Sequence, residues 1–298
     1  MGVSMTATEP ISLVERPVSA PPVGPPVRPR GTDPGMMGIG LLAGPANVIM
    51  QLSRPAIGYG VKDSRVESGR IDRHPIKRAR TTFTYIAVAI NGTVDQKAAY
   101  RRAVNRAHAQ VYSRPEDPVA YNAFDPELQR WVAACMYKGI VDVYRLFVGE
   151  MDDETADEHF REAAGLGTML QVPPTMWPKD RAAFDEYWNE QLDKVHIDDD
   201  VRNFLYPIAA GRQPIPLPRW IRRPLDDFGL LITTGFLPQR FRDEMRLPWD
   251  VHRQRRFDRL MNTIRVANNL APKFIREFPF NALLLNLDWR IRTGRPLV

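Results

Sequence analysis

Apolar positions along this chain recur mostly at intervals of three and four residues, the spacing of helices that bury one face, and the pattern restarts after prolines. Pro45 stands where a helix would begin, and Val48, Ile49 and Leu52 then share a side. A second segment starts at His74-Pro75 and runs to Ile90. Its stretch from Thr81 onward is β-branched and aromatic. Propensity therefore permits a strand turning at Asn91-Gly92 as readily as a buried helix capped by Gly92. Residues 95–112 are rich in Ala, Arg, Lys and Gln and predict a helix with Arg101, Val104, His108 and Val111 on one side, ended by Ser113-Arg114-Pro115. Asp125-Pro126-Glu127 reads as the cap and first turn of a helix that runs through Trp131, Cys135 and Met136 towards Phe147. Further helices are predicted over 154–170, 180–195, 202–210, 238–246, 251–268 and 272–292, with the proline-rich stretch 211–224 as a surface linker. There is no internal repeat and no convincing run of strands. The pattern predicts an all-α fold, a single multi-helix domain over residues 36–298. Residues 1–35 carry eight prolines and read as an extended, partly flexible arm.

Composition narrows the class. The 44% hydrophobic content of the 298 residues is that of a chain able to bury a core. A single cysteine, Cys135, excludes an intrachain disulfide framework and a multi-cysteine zinc site. No secretory signal is visible, and no apolar run reaches the roughly 20 residues that span a bilayer. A cytoplasmic protein, with peripheral membrane contact left open, is the expectation. The net charge of +6 hides an asymmetry: residues 151–200 hold 4 Lys/Arg against 14 Asp/Glu, and residues 201–298 hold 18 against 8. No nucleic-acid motif accompanies the basic part, so nucleic acid is not expected as a partner. A non-enzymatic helical scaffold that docks anionic surfaces through residues 201–298 is the alternative to an enzyme.

Few residues offer chemistry. The five histidines form no His-Glu-x-x-His and no Glu-x-x-His pair, and the nearest match, Asp193-x-x-His196, is single. Glycine-rich nucleotide loops and the Gly-x-Ser-x-Gly elbow are absent. His108, expected mid-helix beside Val104 and Val111, is the histidine placed to act as a ligand. A histidine so placed is more often a hydrogen-bonded core residue. Cys135 between Trp131 and Met136 reads as an inert packing thiol. Lys77-Arg78-Ala79-Arg80-Thr81 puts cations at a helix start, where they oppose the helix dipole, and this points to an anionic partner.

Several of these segments together resemble the DUF2236 family of oxygenases, the family of latex clearing protein and the fungal MpaB oxygenase. The resemblance runs from Gly44 to Leu192. It is carried by Gly44-Pro45, by Arg54-Pro55-Ala56-Ile57-Gly58-Tyr59-Gly60-Val61, by Arg78-Ala79-Arg80-Thr81, by Arg106-Ala107-His108-Ala109-Gln110-Val111, and by Tyr121-x-x-Phe124-Asp125-Pro126-x-Leu128-x-x-Trp131-Val132. It implies a globin-like helical core holding haem b, with His108 as the proximal iron ligand. Arg80 and Thr81 would lie on the distal side as catalytic residues, and Arg78 would join them in holding the cofactor through its propionates. Latex clearing protein has a lysine in the place of Arg80 that can close the sixth iron position. Arginine stays protonated and has no lone pair to give, so that position would be open, or held by water or another residue. Many members carry His-Pro where this chain has Arg54-Pro55. The family's distal glutamate has no clear match, and Asp63 and Glu67 are the nearest carboxylates. The implied activity is a haem-dependent oxygenase or peroxidase-like oxidoreductase that uses dioxygen or peroxide on an apolar small molecule.

Overall fold

Prolines and short acidic or hydroxyl side chains start most of the helices. The structure, a computed structural model, describes residues 37–66, 70–212 and 217–298. The arm read over residues 1–35 lies outside the described residues. After a 3-10 turn (Gly38–Ala43), helix α1 (Gly44–Leu52), α2 (Pro55–Lys62) and α3 (Pro75–Asn91) each carry proline in the first turn, where its missing N–H costs no intrahelical bond. Helix α4 (Val94–His108) begins with a capping box: Thr93 Oγ1 accepts from the Gln96 N–H at 3.2 Å, and Gln96 Oε1 accepts from the Thr93 N–H at 2.9 Å. Helix α5 (Pro126–Phe147) is capped by Asp125, as its sequence predicts. Asp152, Asp180, Asp198 and Asp250 cap α6 (Asp153–Ala163), α8 (Arg181–Leu192), α9 (Asp199–Ala209) and α12 (Val251–Leu270) in the same way. The shorter α7 (Gly165–Thr168), α11 (Gln239–Glu244) and α13 (Lys273–Arg276), with α10 (Arg219–Phe236) and α14 (Phe280–Arg292), complete the fold. Among the described residues there is no strand, only an isolated antiparallel bridge between Tyr112 and Asn122. The fold is all-α, and none of its described helices is long and apolar enough to cross a membrane.

The open choice at residues 81–90 resolves to helix. Thr84, Tyr85, Ala87, Val88 and Ala89 are all buried in α3. The Tyr85 hydroxyl donates to the Leu166 carbonyl at 2.6 Å, and Phe83 meets Phe280 edge-on at 5.8 Å. Helix α3 packs on α14, α4, α6 and α7, and burial on several sides overrides β propensity. Tertiary contacts also shorten or split predicted helices. Residues 95–112 stop being helical at His108, because the Ser113 N–H donates to Tyr121 and the Ala123 N–H donates to Val111 across the short bridge. The 154–170 segment breaks at Ala164, where Gly165 lets the chain approach α3: a Cβ there would sit 2.7 Å from the Ala89 carbonyl oxygen. The 272–292 segment divides into α13 and α14 at Phe278-Pro279. The linker is shorter than predicted, since α10 starts at Arg219 and holds Pro224 within it.

Helix α5 is the axis of the core. Trp131, Ala133, Ala134 and Cys135 are wholly buried. On one face, Trp131 stacks on Trp188 at 5.2 Å and Tyr137 meets Phe184 at 4.8 Å, within a cluster that also holds Phe160 and Trp177. On another face, Val132, Met136, Ile140 and Val143 line a void.

Candidate functional site

That void is a cavity of about 1280 Å³ bounded by α1, α2, α3, α4, α5 and α9. It exceeds the ~300–1,000 Å³ of ordinary small-molecule pockets. Its walls are mainly aliphatic: Val48 and Leu52 from α1, Ile57 and Val61 from α2, Ile86 from α3, Val104 from α4, and Phe204 and Ile208 from α9, facing the α5 side chains. Pro296, Leu297 and Val298 fold back to close one side, held where Arg290 Nη1 donates to the Pro296 carbonyl at 2.7 Å.

His108 lines this cavity as the last residue of α4, not mid-helix as the sequence predicted. The end of α4 is fixed from below. Gln171 Nε2 donates to Asn105 Oδ1 at 3.0 Å, and the Gln171 N–H donates to Gln129 Oε1 of α5 at 2.8 Å. The imidazole meets Phe124 edge-on at 6.4 Å between centroids. Its Nδ1 is fully buried and has no hydrogen-bond partner among the described residues. Burial, and secondarily the charge of Arg78, push the imidazole pKa down to about 4, so the ring is neutral at pH 7 and keeps a lone pair to give. An unpaired buried nitrogen costs roughly 1–3 kcal/mol.

Helix α3 brings Lys77, Arg78, Thr81 and Thr82 to the same cavity. Arg78 has no carboxylate or other hydrogen-bonding partner for its guanidinium among the described residues, and burial lowers its pKa while nearby Tyr100 partly offsets the fall. The Thr81 hydroxyl donates to the Arg78 carbonyl at 2.9 Å. Tyr100, fully buried on α4, donates to the Thr81 carbonyl at 2.7 Å and ties the two helices together. Arg80 does not line the cavity. Two residues beyond Arg78, it points away round the helix, towards Tyr100 and the like charge of Arg290; burial and then Arg290 lower its pKa. Arg78, not Arg80, is therefore the arginine of this pair that faces the cavity.

The carboxylate candidates do not enter. Asp63 closes α2, is exposed, and accepts from Lys62 Nζ at 2.9 Å. Glu67 lies outside the described residues. Asp72 does reach the cavity rim, where it accepts twice from Arg70, at 2.8 and 3.1 Å; that pairing, against the opposing effect of burial, holds its pKa low. Arg54 donates to Gln191 Oε1 at 2.6 Å and does not line the cavity. Cys135 is buried, its thiol pKa pushed up by desolvation, as expected of a packing residue. No group of three or more His, Cys, Asp or Glu side chains among the described residues could hold a bare metal ion. Sequence reasoning missed Tyr100 and the Gln129–Gln171–Asn105 bonds, because tyrosine and amides at those positions carry no local signature of what they meet across the fold.

Two proteins are each 48% identical to this chain over 253 residues, which is 85% of this chain and 98% of theirs: the uncharacterized proteins Mb2261 of Mycobacterium bovis and Rv2237 of Mycobacterium tuberculosis. No solved structure matches the chain significantly. The family described as ER-bound oxygenase mpaB/B'/Rubber oxygenase, catalytic domain, matches residues 34–266. That span takes in α1 to α11, the cavity walls they supply, His108 and the Arg78–Thr81 turn, and it is the greater part of the chain, so this protein belongs to that oxygenase family.

Proposed function

We propose that this protein is a haem b-dependent oxidoreductase, an oxygenase by family, that acts on an apolar small molecule with dioxygen or peroxide. The observation that carries the reading is the neutral imidazole of His108, its Nδ1 without a hydrogen-bond partner among the described residues, beside a large aliphatic cavity. Haem iron takes one neutral imidazole and needs no cluster of acidic ligands, which suits a site with one histidine and no carboxylate wall. Bound there, haem would supply the redox chemistry that no side chain of this cavity can supply.

The chain's own residues do the rest. His108 would hold the iron. Arg78, unpaired and desolvated, would pair with an anionic group of the cofactor through charge-assisted hydrogen bonds. Thr81 would hold its hydroxyl at the same wall, fixed from behind by Tyr100. Arg80 would act from outside the cavity by setting that turn of α3, a more indirect part than a place on the distal side. The aliphatic walls exclude water and select an apolar substrate over a polar one. The test is a pyridine haemochrome spectrum with iron quantification on the full chain purified after expression with added haem precursor. The expected result is near-stoichiometric haem b. A protein that stays colourless under those conditions would overturn the proposal.

A further inference from the structure

We propose that the N-terminal half of α10 docks on the surface of an anionic lipid bilayer. Helix α10 is amphipathic along its whole length. Its C-terminal half buries Leu231, Ile232 and Phe236 in the core. The same stripe continues towards the N-terminus as Phe228, Leu225 and Trp220, and there it is uncovered: these side chains are 50, 53 and 76% exposed. A helix that only packed on the core would turn polar where the core ends. This one stays apolar for more than two turns beyond it.

The opposite side of the same half carries Arg219, Arg222 and Arg223, and none of the three has an ion-pair partner among the described residues. Of the neighbouring carboxylates, Asp226 is already taken by Arg212 at 2.7 Å. Pro224 within the helix leaves the Trp220 carbonyl without its intrahelical donor, a loss that water or lipid headgroups can make good at an exposed site. A second exposed apolar group, Leu270 at 82% and Phe274 at 66%, comes from the end of α12 and from α13, and α13 packs on the same 3-10 turn as α10.

An apolar stripe with an aromatic residue at its outer end, flanked by arginines, suits the boundary between acyl chains and headgroups. Arginine stems can lie along the apolar layer while their guanidinium groups reach lipid phosphates. A second copy of this chain offers a poorer complement: its own α10 carries the same three arginines, with Asp227 as the one exposed carboxylate beside them. The inference does not depend on the cofactor.

The test is flotation of the full chain with vesicles of phosphatidylcholine alone and of phosphatidylcholine with an equal amount of phosphatidylglycerol, at low and high salt, with sedimentation velocity alongside. The wild type should bind the anionic vesicles and lose that binding as salt rises. Trp220→Ser with Phe228→Ser should bind at least about tenfold more weakly, and Arg219→Gln with Arg222→Gln and Arg223→Gln on the order of a hundredfold more weakly. Thermal unfolding of both variants should match the wild type, because the changed side chains are exposed. Failure of the wild type to bind anionic vesicles overturns the proposal, as does equal binding by the wild type and both variants. A wild-type dimer that the Trp220→Ser, Phe228→Ser variant dissociates would also overturn it, assigning the stripe to a second copy.

Discussion

Two faces of α5 do opposite things with the same kind of residue. Towards α8 the helix presents Trp131 and Tyr137, and the rings of Trp188, Phe184, Phe160 and Trp177 pack against or around them. Towards α3 and α4 it presents Val132, Met136 and Ile140, equally apolar, and leaves a cavity of about 1280 Å³ in front of them. Interiors are packed to crystal-like density, so a void of this size beside a filled cluster is not loose packing. The filled face packs the core, and the open face borders the cavity. The lone imidazole of His108 stands on the open side.

The largest expected effect lies on the filled face. Trp131→Ala removes a wholly buried ring whose Nε1 donates to the Met50 carbonyl at 3.2 Å. It should cost about 3–5 kcal/mol in urea unfolding of the cofactor-free protein. If that loss is under about 1 kcal/mol, the two faces are not the distinct regions described here.

On the open face, His108 should make stability depend on pH. Its folded pKa, about 4, lies below its ordinary value of 6.5. The unfolded chain therefore takes up the proton first as pH falls. This contribution is fully present above pH 6.5 and is lost between 6.5 and about 4. The loss in the cofactor-free protein is up to roughly 3 kcal/mol. His108→Ala should flatten that part of the stability curve, and an unchanged slope would show that His108 is not the desolvated group. Arg78→Gln should move the His108 pKa upward, readable by NMR titration of the ring, because it removes one of the two causes of its depression.

Tyr100 links the walls, and Tyr100→Phe should cost about 1 kcal/mol by removing its bond to the Thr81 carbonyl, with no new cavity. The smallest effect on stability should come from filling the void. Val132→Phe adds bulk where there is room, so cofactor-free stability should change by less than about 1 kcal/mol in either direction, while haem uptake falls. A large destabilisation there would mean the open face is as tightly packed as the other.

Much of the helical framework was legible because its signals are local. Asp125 and Asp180 mark helix starts through bonds made within three residues of themselves, and Pro45 does so through its fixed backbone angle. The site was legible only in outline. That His108 ends α4 depends on pairing between residues 111–113 and 121–123, and that pairing is decided across a loop. Arg78 and Arg80 look alike in sequence; which one meets the cavity depends on α14 packing against the other side of α3. Tyr100 and the Gln129–Gln171 contact matter through partners 19 and 42 residues away. The cavity itself has no sequence signature, because its wall is assembled from many helices and none fills it. The split of 272–292, by contrast, was marked by Pro279 and could have been read from sequence.

The central claim is that the His108 imidazole is the iron ligand, and chemical rescue tests it most directly. His108→Gly removes the ring and leaves space for a free imidazole on the same wall. Purified with haem, this variant should show a ferric spectrum unlike that of the wild type, and added imidazole should restore the wild-type Soret and visible bands. If the His108→Gly protein already shows the wild-type spectrum at full haem occupancy without imidazole, the iron is held by another residue, and the account of the open face is wrong.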